Sequence, residues 1–262
     1  MSNCVKRCFN NLYDMKGGIM RRTLFTIMFV VFCTLPTIAQ SFEKDVIKTS
    51  DGELEIAFIG HGTLMLTFGG KIIHVDPFSR LADYAKLPKA NVILLTHHHR
   101  DHLDPIALQH VRTKSTIMIL TEICAKKVEG GIIMKNGDVQ AVMGIKVEAV
   151  PAYNLRHKRE NGQFYHPKGE GNGYVLTFGD KRVYIAGDTE NTPEMKLLVH
   201  IDYAFLPMNL PYTMTPEMVA DAAKAFKPKV LYPYHYGETD TSRIVELLKN
   251  DQVIEVRIRK MK

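Results

Sequence analysis

The sequence predicts an α/β protein whose sheets are covered by helices on their outer faces. Short apolar runs of strand length, bounded by glycine turns, alternate with N-capped helical segments in both halves of the chain. No stretch rich in Gly, Ser or Pro divides residues 41–262, and no repeat of fixed period occurs, so one domain is expected there.

The elements follow in order. Residues 54–59, 64–68 and 71–75 read as strands separated by Gly60, Gly62 and Gly69-Gly70. Residues 91–95 form a strand, apolar from Val92 onward, that runs into a cluster of histidines. Asp104-Pro105 supplies an N-cap and a proline at the first helical position, so 106–111 continues as a helix. A short strand at 117–120 and a short helix at 122–127 precede a strand at 144–150, which ends in Pro151-Ala152-Tyr153-Asn154. Residues 155–172 are polar and contain glycines, which is loop composition, and long loops in compact domains are commonly functional. Residues 173–177 and 182–186 pair as a hairpin whose second strand opens onto Gly187-Asp188-Thr189. After a strand at 203–206, Thr215 caps a helix that starts at Pro216 and buries Met218, Val219, Ala222 and Phe226. A strand at 230–234 delivers His235, a helix spans 242–248, and the last strand spans 253–258.

The amino terminus reads differently. Met20-Arg21-Arg22 is a short basic segment, residues 23–34 are apolar and too short for an ordinary spanning helix, and Thr37 and Ala39 are small residues at the spacing a signal peptidase reads. Residues 1–39 are therefore expected to be a secretory leader, with true initiation at Met15 or Met20, leaving residues 40–262 as a periplasmic or secreted domain without stable membrane insertion. In the leader, Lys6, Arg7, Lys16, Arg21 and Arg22 stand against Asp14, so it carries +4 of the formal +6. The remaining +2 is no electrostatic footprint for a nucleic-acid binder. Cys4, Cys8 and Cys33 fall within the leader segment, so Cys124 alone remains in the mature chain and an intramolecular disulfide is excluded there; a buried, inert thiol is expected.

The most informative stretch is Thr96-His97-His98-His99-Arg100-Asp101-His102, directly after the apolar strand. Side chains two apart on extended backbone point the same way, so His97 and His99 can share one metal ion while Asp101 and His102 are free for a second. His98 then points away. Asp188 and His235, each at a strand end, supply further ligands. Asp76 follows a strand in the same manner, as the partner that orients a ligand histidine or as a turn cap, and His61 also follows a strand.

These residues, with Gly60-His61-Gly62, Val75-Asp76-Pro77-Phe78, Leu206-Pro207 and Pro233-Tyr234-His235-Tyr236-Gly237, give residues 52–258 a pattern that resembles the metallo-β-lactamase superfamily. The resemblance is to the branch of the phosphorylated-ascorbate lactonase and the N-acylphosphatidylethanolamine phospholipase D, more than to true β-lactamases. It implies a four-layer αβ/βα sandwich with two divalent ions at one edge of the central sheets. His97 and His99 would hold the first ion, Asp101, His102 and His235 the second, and Asp188 would bridge them. For His61 the resemblance of its motif implies a place near the metals or the substrate. Zinc is the expected metal; the oxygen ligands also admit manganese or iron. The implied activity is hydrolysis of an ester-like bond (lactone, carboxylic ester or phosphodiester) in a small molecule by a metal-bound hydroxide, with Asp101 and Asp188 as the catalytic carboxylates.

In one place the sequence departs from the family. Where a third histidine for the first metal usually follows the strand at 147–150, this chain has Ala152-Tyr153-Asn154. Asn154, His157 and His166 are the candidates for the missing ligand, and His166 is favoured because a neutral imidazole binds zinc better than an amide and nearby glycines free its loop. Lys168, Tyr236 and His61 are candidates for a general acid, and Tyr153 and Tyr236 for the lining of a substrate pocket. The 208–214 loop could contact substrate or cover the core. A β-lactamase and a non-catalytic exported metal-binding protein are the alternatives. The substrate and the oligomeric state do not follow from the sequence.

Overall fold

The computed structural model describes residues 40–262. The expected leader at 1–39, its alternative starts Met15 and Met20, and Cys4, Cys8 and Cys33 lie outside the described residues. Among the described residues no helix is long and apolar enough to cross a membrane.

Two seven-stranded sheets form the centre of the described residues. The first runs in chain order from β1 (Glu43–Thr49) through β2 (Gly52–Gly60), β3 (Thr63–Phe68), β4 (Lys71–Val75), β5 (Val92–Leu94) and β6 (Ile117–Leu120) to β7 (Ile132–Ile133). The second runs from β8 (Val139–Val142) through β9 (Ile145–Ala152), β10 (Gly171–Phe178), β11 (Lys181–Ile185), β12 (Tyr203–Pro207) and β13 (Val230–Tyr234) to β14 (Glu255–Val256). Pairing is antiparallel up to β4 in the first sheet and up to β11 in the second, and parallel beyond. Parallel neighbours require crossover connections, which here carry the helices and bring several strand ends to one edge.

The core between the sheets joins Leu54, Ile56, Leu64 and Leu66 of the first to Val147, Tyr174, Leu176 and Phe205 of the second. On the outer face of the first sheet, α1 (Pro105–Val111) and α2 (Glu122–Ala125) pack Ala107, Leu108, Val111 and Cys124 onto Ile93, Leu95, Met118 and Leu120. On the outer face of the second, α3 (Pro193–Lys196), α4 (Pro216–Phe226) and α5 (Ser242–Leu248) pack Met195, Val219, Ala223 and Ile244 onto Val175, Tyr184, Ala204 and Leu231. The four layers explain why β5 is apolar throughout: Val92 and Leu94 face the other sheet, and Ile93 faces the helices. Hydroxyl and carboxylate caps start α1 to α4, with Asp104 accepting from Ile106 N at 2.9 Å and Thr215 from Met218 N at 3.2 Å.

Some elements differ from the sequence expectation. The last strand is only Glu255–Val256, shorter than 253–258, and β1, β7, β8 and α3 were not anticipated. β1 (EKDVIKT) buries only Ile47 and β8 (VQAV) only Val142, so neither shows the alternation that marks a half-buried strand. Cys124 is a buried free thiol whose pKa burial raises, as an inert side chain requires.

His74 on β4 is fully buried, and its Nε2–H donates to Pro88 O at 3.0 Å. Burial pushes its pKa down to about 4, so the folded protein keeps this imidazole neutral while the unfolded chain protonates it near 6.5. The contribution of His74 to stability is therefore complete above about pH 6.5 and declines as the pH falls toward 4. Urea unfolding at pH 7 and pH 5 should show a loss of about 2 kcal/mol from this residue, smaller in His74→Gln. Equal pH dependence in parent and variant would contradict this assignment.

Candidate metal centre

His97, His99, Asp101 and His102 follow β5, His166 stands on the connection between β9 and β10, Asp188 follows β11, and His235 follows β13. The turn between β2 and β3 adds His61. The fold brings their ligand atoms together in three overlapping groups, each within 4.8 Å: His97, His99 and His166; His97, His102 and Asp188; and His61, Asp101, His102 and His235. Asp188 lies between the other two groups, with Oδ2 3.3 Å from His166 Nε2 and 3.5 Å from His235 Nε2, and Oδ1 3.5 Å from His102 Nε2. Asp101 Oδ2 is 3.5 Å from His235 Nε2 and 3.6 Å from His102 Nε2. A tetrahedral ion with bonds of about 2.0–2.2 Å sets its ligand atoms about 3.3–3.6 Å apart, which is the spacing of these five contacts, while His97 Nε2 stands somewhat wider, 3.9 Å from Asp188 Oδ2. His97 Nε2, His102 Nε2, His235 Nε2 and Asp188 Oδ1 are buried without any hydrogen-bond partner. Orphaned donor atoms of this kind fit a divalent cation.

The opposite edge of each imidazole is held. Thr96 Oγ1 lies 3.0 Å from His97 Nδ1, Asp76 Oδ2 2.8 Å from His102 Nδ1, Asn154 Oδ1 2.7 Å from His166 Nδ1, and the Asn209 amide 3.3 Å from His235 Nδ1. Fixing Nδ1 in this way aims Nε2 inward. Asp76 is itself buried and accepts from Thr96 N and Thr96 Oγ1, so it orients the His102 imidazole. His98 is half-buried outside the cluster, and its carbonyl accepts from Lys127 Nζ.

Of the three candidates for the missing ligand, the structure brings only His166 into the cluster. Asn154 is fully used: Oδ1 accepts from His166 N and Nδ1, and Nδ2 donates to Glu190 Oε1 and Tyr212 O. His157 turns its Nδ1 to Glu190 Oε1 at 2.8 Å. Glu190, which the sequence reading missed, is buried and also accepts the backbone N–H groups of Leu155, Arg156 and His157. This buried carboxylate anchors the loop, and Asn154 passes that order to His166. No spacing signal reveals it, because its partners lie 33–36 residues away.

Charge follows the packing. Burial lowers the pKa of His97 and, to about 4, that of His99, so both are neutral donors. For His102 burial acts the same way, but Asp188, Asp76 and Asp101 outweigh it and raise the value to about 10. Burial would raise both carboxylates, yet His235, His102 and His166 draw Asp188 well below the usual range, and the His235 imidazole 3.5 Å away, with the hydrogen bond from His61, does the same for Asp101.

Three residues at this edge, His61, Asp76 and His235, hold left-handed φ angles of 51°, 44° and 47°. Each costs roughly 1–2 kcal/mol for a side chain with a Cβ, and such strain concentrates at functional sites. The His235 N–H donates to His61 O at 3.0 Å, locking the two strand ends together. Between them the chain must pass Gly62 close by: a Cβ there would stand 2.7 Å from His102 Cε1 and 3.3 Å from His235 Cδ2.

The β-lactamase superfamily domain matches residues 55–235 of this sequence. The chain belongs to that superfamily. It is 33% identical over 197 residues to the UPF0173 metal-dependent hydrolase of Thermococcus onnurineus, covering 70% of this chain and 85% of that relative. A candidate metal-dependent hydrolase of known structure from Parabacteroides distasonis shares 51% identity, with 85% of this chain and 100% of that one covered and a TM-score of 0.81. Igni18, a metallo hydrolase from Ignicoccus hospitalis, shares 25% identity over 79% of this chain and 95% of its own, with a TM-score of 0.66. The expected four-layer αβ/βα sandwich, the metallo-β-lactamase fold, is thus this chain's architecture, and the chain is a metal-dependent hydrolase.

Above the cluster the hydrolase has an open cavity of about 490 Å³, lined by His61, His99, Asp101, His166, Asp188 and His235 and walled by Arg100, Arg159, Tyr165, Asn209 and Tyr212. Tyr153 and Tyr236, expected as lining, are not among these residues. The Tyr153 hydroxyl donates to Glu194, and the Tyr236 hydroxyl donates to Arg259 O within the fold. Lys168 is likewise turned aside, bonded to Glu194 and Tyr153. The 208–214 loop divides its roles, with Met208 and Met214 in the core and Asn209 and Tyr212 on the cavity.

The anchor role of Glu190 is open to direct measurement. In Glu190→Ala the amides of Leu155, Arg156 and His157 should exchange about a hundredfold faster or more, while β-core amides keep their protection. Unchanged exchange at those three amides would remove Glu190 from this role.

Proposed function

We propose that the chain is an exported hydrolase with a dinuclear metal site that cleaves an ester-like bond in a small molecule. The observation that carries this reading is the convergence of partnerless, buried Nε2 and carboxylate atoms at metal-ligand spacing beneath an open cavity. In this reading His97, His99 and His166 hold one cation, Asp101, His102 and His235 hold the other, and Asp188 is shared. The imidazole-rich set favours zinc, and the carboxylates also suit manganese or iron. When bound, two such cations supply the Lewis acidity that makes water nucleophilic at neutral pH, and the charge that meets a developing oxyanion.

The chain's own groups have distinct tasks. Asp188, buried and strongly acidic, offsets part of the repulsion between two cations. Asp101 is partly exposed to the cavity and accepts from His61 Nε2 at 3.0 Å, which orients its carboxylate. Of the three groups considered as general acid, only His61 lines the cavity, so the His61 imidazole, tied to Asp101 through Nε2, is the group assigned to serve the leaving group. Export rests on the basic, apolar and small-residue pattern of residues 1–39.

Metal content measured by elemental mass spectrometry on the purified protein tests the centre. About two ions per chain are expected in the parent, about one in His166→Ala and in Asp101→Ala, and an undiminished content in His157→Ala. Equal loss in His157→Ala and His166→Ala, or one ion in the parent under replete conditions, would overturn the dinuclear assignment. Chelation should abolish ester hydrolysis, and re-addition of zinc should restore it. Sequencing of the mature amino terminus tests export, a start near Gln40 being expected.

A further inference from the structure

The cavity walls carry two cations that the metal site does not use. Arg100 lies between His99 and Asp101, and Arg159 lies on the loop that also bears His166; both line the cavity. Among the described residues neither guanidinium has an acidic partner within 4.0 Å. Arg182, Arg243, Arg257 and Arg259 each pair with a carboxylate, to Glu148, Glu217, Glu255 and Asp45 at 2.6–2.9 Å, and the other described arginines without such a pair, Arg80, Arg112 and Arg156, do not line this cavity. The two carboxylates on the cavity, Asp101 and Asp188, are turned to the imidazoles. They do not neutralise the arginines.

Arg159 is also held in place. Its guanidinium lies 5.0 Å over the Tyr165 ring, and Tyr165 meets Tyr212 edge to face at 5.0 Å. A cation fixed on an aromatic wall loses less freedom on binding than a solvated one. A planar guanidinium presents paired donors that match the oxygens of a carboxylate or a phosphate.

We propose that the substrate carries a compact anionic group, a carboxylate or a phosphate, which Arg100 and Arg159 engage while the bond to be cleaved lies over the histidine and aspartate cluster. This names the substrate class for the hydrolase read above and rests on that reading. The aromatic faces of Tyr165 and Tyr212 border the same space and suit a flat or apolar portion of the molecule.

The test compares three activated esters on the zinc-loaded protein: 4-nitrophenyl acetate, its succinate half-ester, and the corresponding phosphonoacetate. The anionic esters are expected to exceed the neutral one in kcat/KM by about tenfold or more, with the preferred anion distinguishing carboxylate from phosphate. In Arg100→Gln/Arg159→Gln the ratio should fall to about one, in the lysine pair it should recover in part, and metal content should be unchanged. Calorimetric binding of succinate and of phosphoglycolate to the same proteins provides a readout without turnover, with about hundredfold weaker binding expected in the glutamine pair. Anion binding that survives the double substitution would mean that the anion sits on the metals alone, and would overturn the inference. So would equal rates for neutral and anionic esters. Arginine-dependent anion binding without hydrolysis of any ester would sink the ester reading while the anion site stands.

Discussion

A buried polar atom without a partner costs about 1–3 kcal/mol, and this fold gathers four of them in one place, at His97, His102, His235 and Asp188. Much of the surrounding structure is arranged around that cost. Each of the three imidazoles is satisfied on its outer nitrogen, by Thr96, Asp76 or Asn209, so that only the inner nitrogen is left open. Asp76 is in turn held by Thr96, one residue before His97. Removing the outer partners would let the rings rotate and satisfy themselves elsewhere.

Two sheets are needed because neither half of the chain contains the whole set. The first half contributes the residues after β5, and the second contributes Asp188, His166 and His235. Their positions relative to one another depend on the apolar packing between the sheets, and on the backbone contact from His235 N–H to His61 O. Both residues of that contact hold left-handed backbone. The close passage at Gly62 requires the absence of a side chain.

Much of this was legible in the sequence. The residues from His97 to His102, Asp188 and His235 stand at the ends of apolar strands, and strands buried on both faces are hard to misread. The polar strands β1 and β8 were not legible, because a strand that buries one residue has no pattern. The missing first-site ligand could be narrowed to three candidates within one loop but not decided by spacing. Contacts across the loop separate them: Asn154 is saturated by its neighbours, His157 turns to Glu190, and His166 turns Nε2 toward Asp188 Oδ2 at 3.3 Å. Tyr153, Tyr236 and Lys168 were placed near substrate on proximity in the chain, and each instead satisfies a partner within the fold.

The loop between β9 and β10 has two separable parts. Its base is tied to Glu190, whereas its tip closes on itself through Arg159 N to Gln163 O and Gly162 N to Arg159 O. The tip residues 160–163 are exposed and make none of the contacts that orient His166. Insertions or exchanges there can move Arg159 and Tyr165 while the base stays in register. Such a loop lets selection reshape the mouth of the cavity without reopening the chemistry beneath it, so members of this superfamily could diverge in what they accept by mutations confined to a few solvent-facing positions.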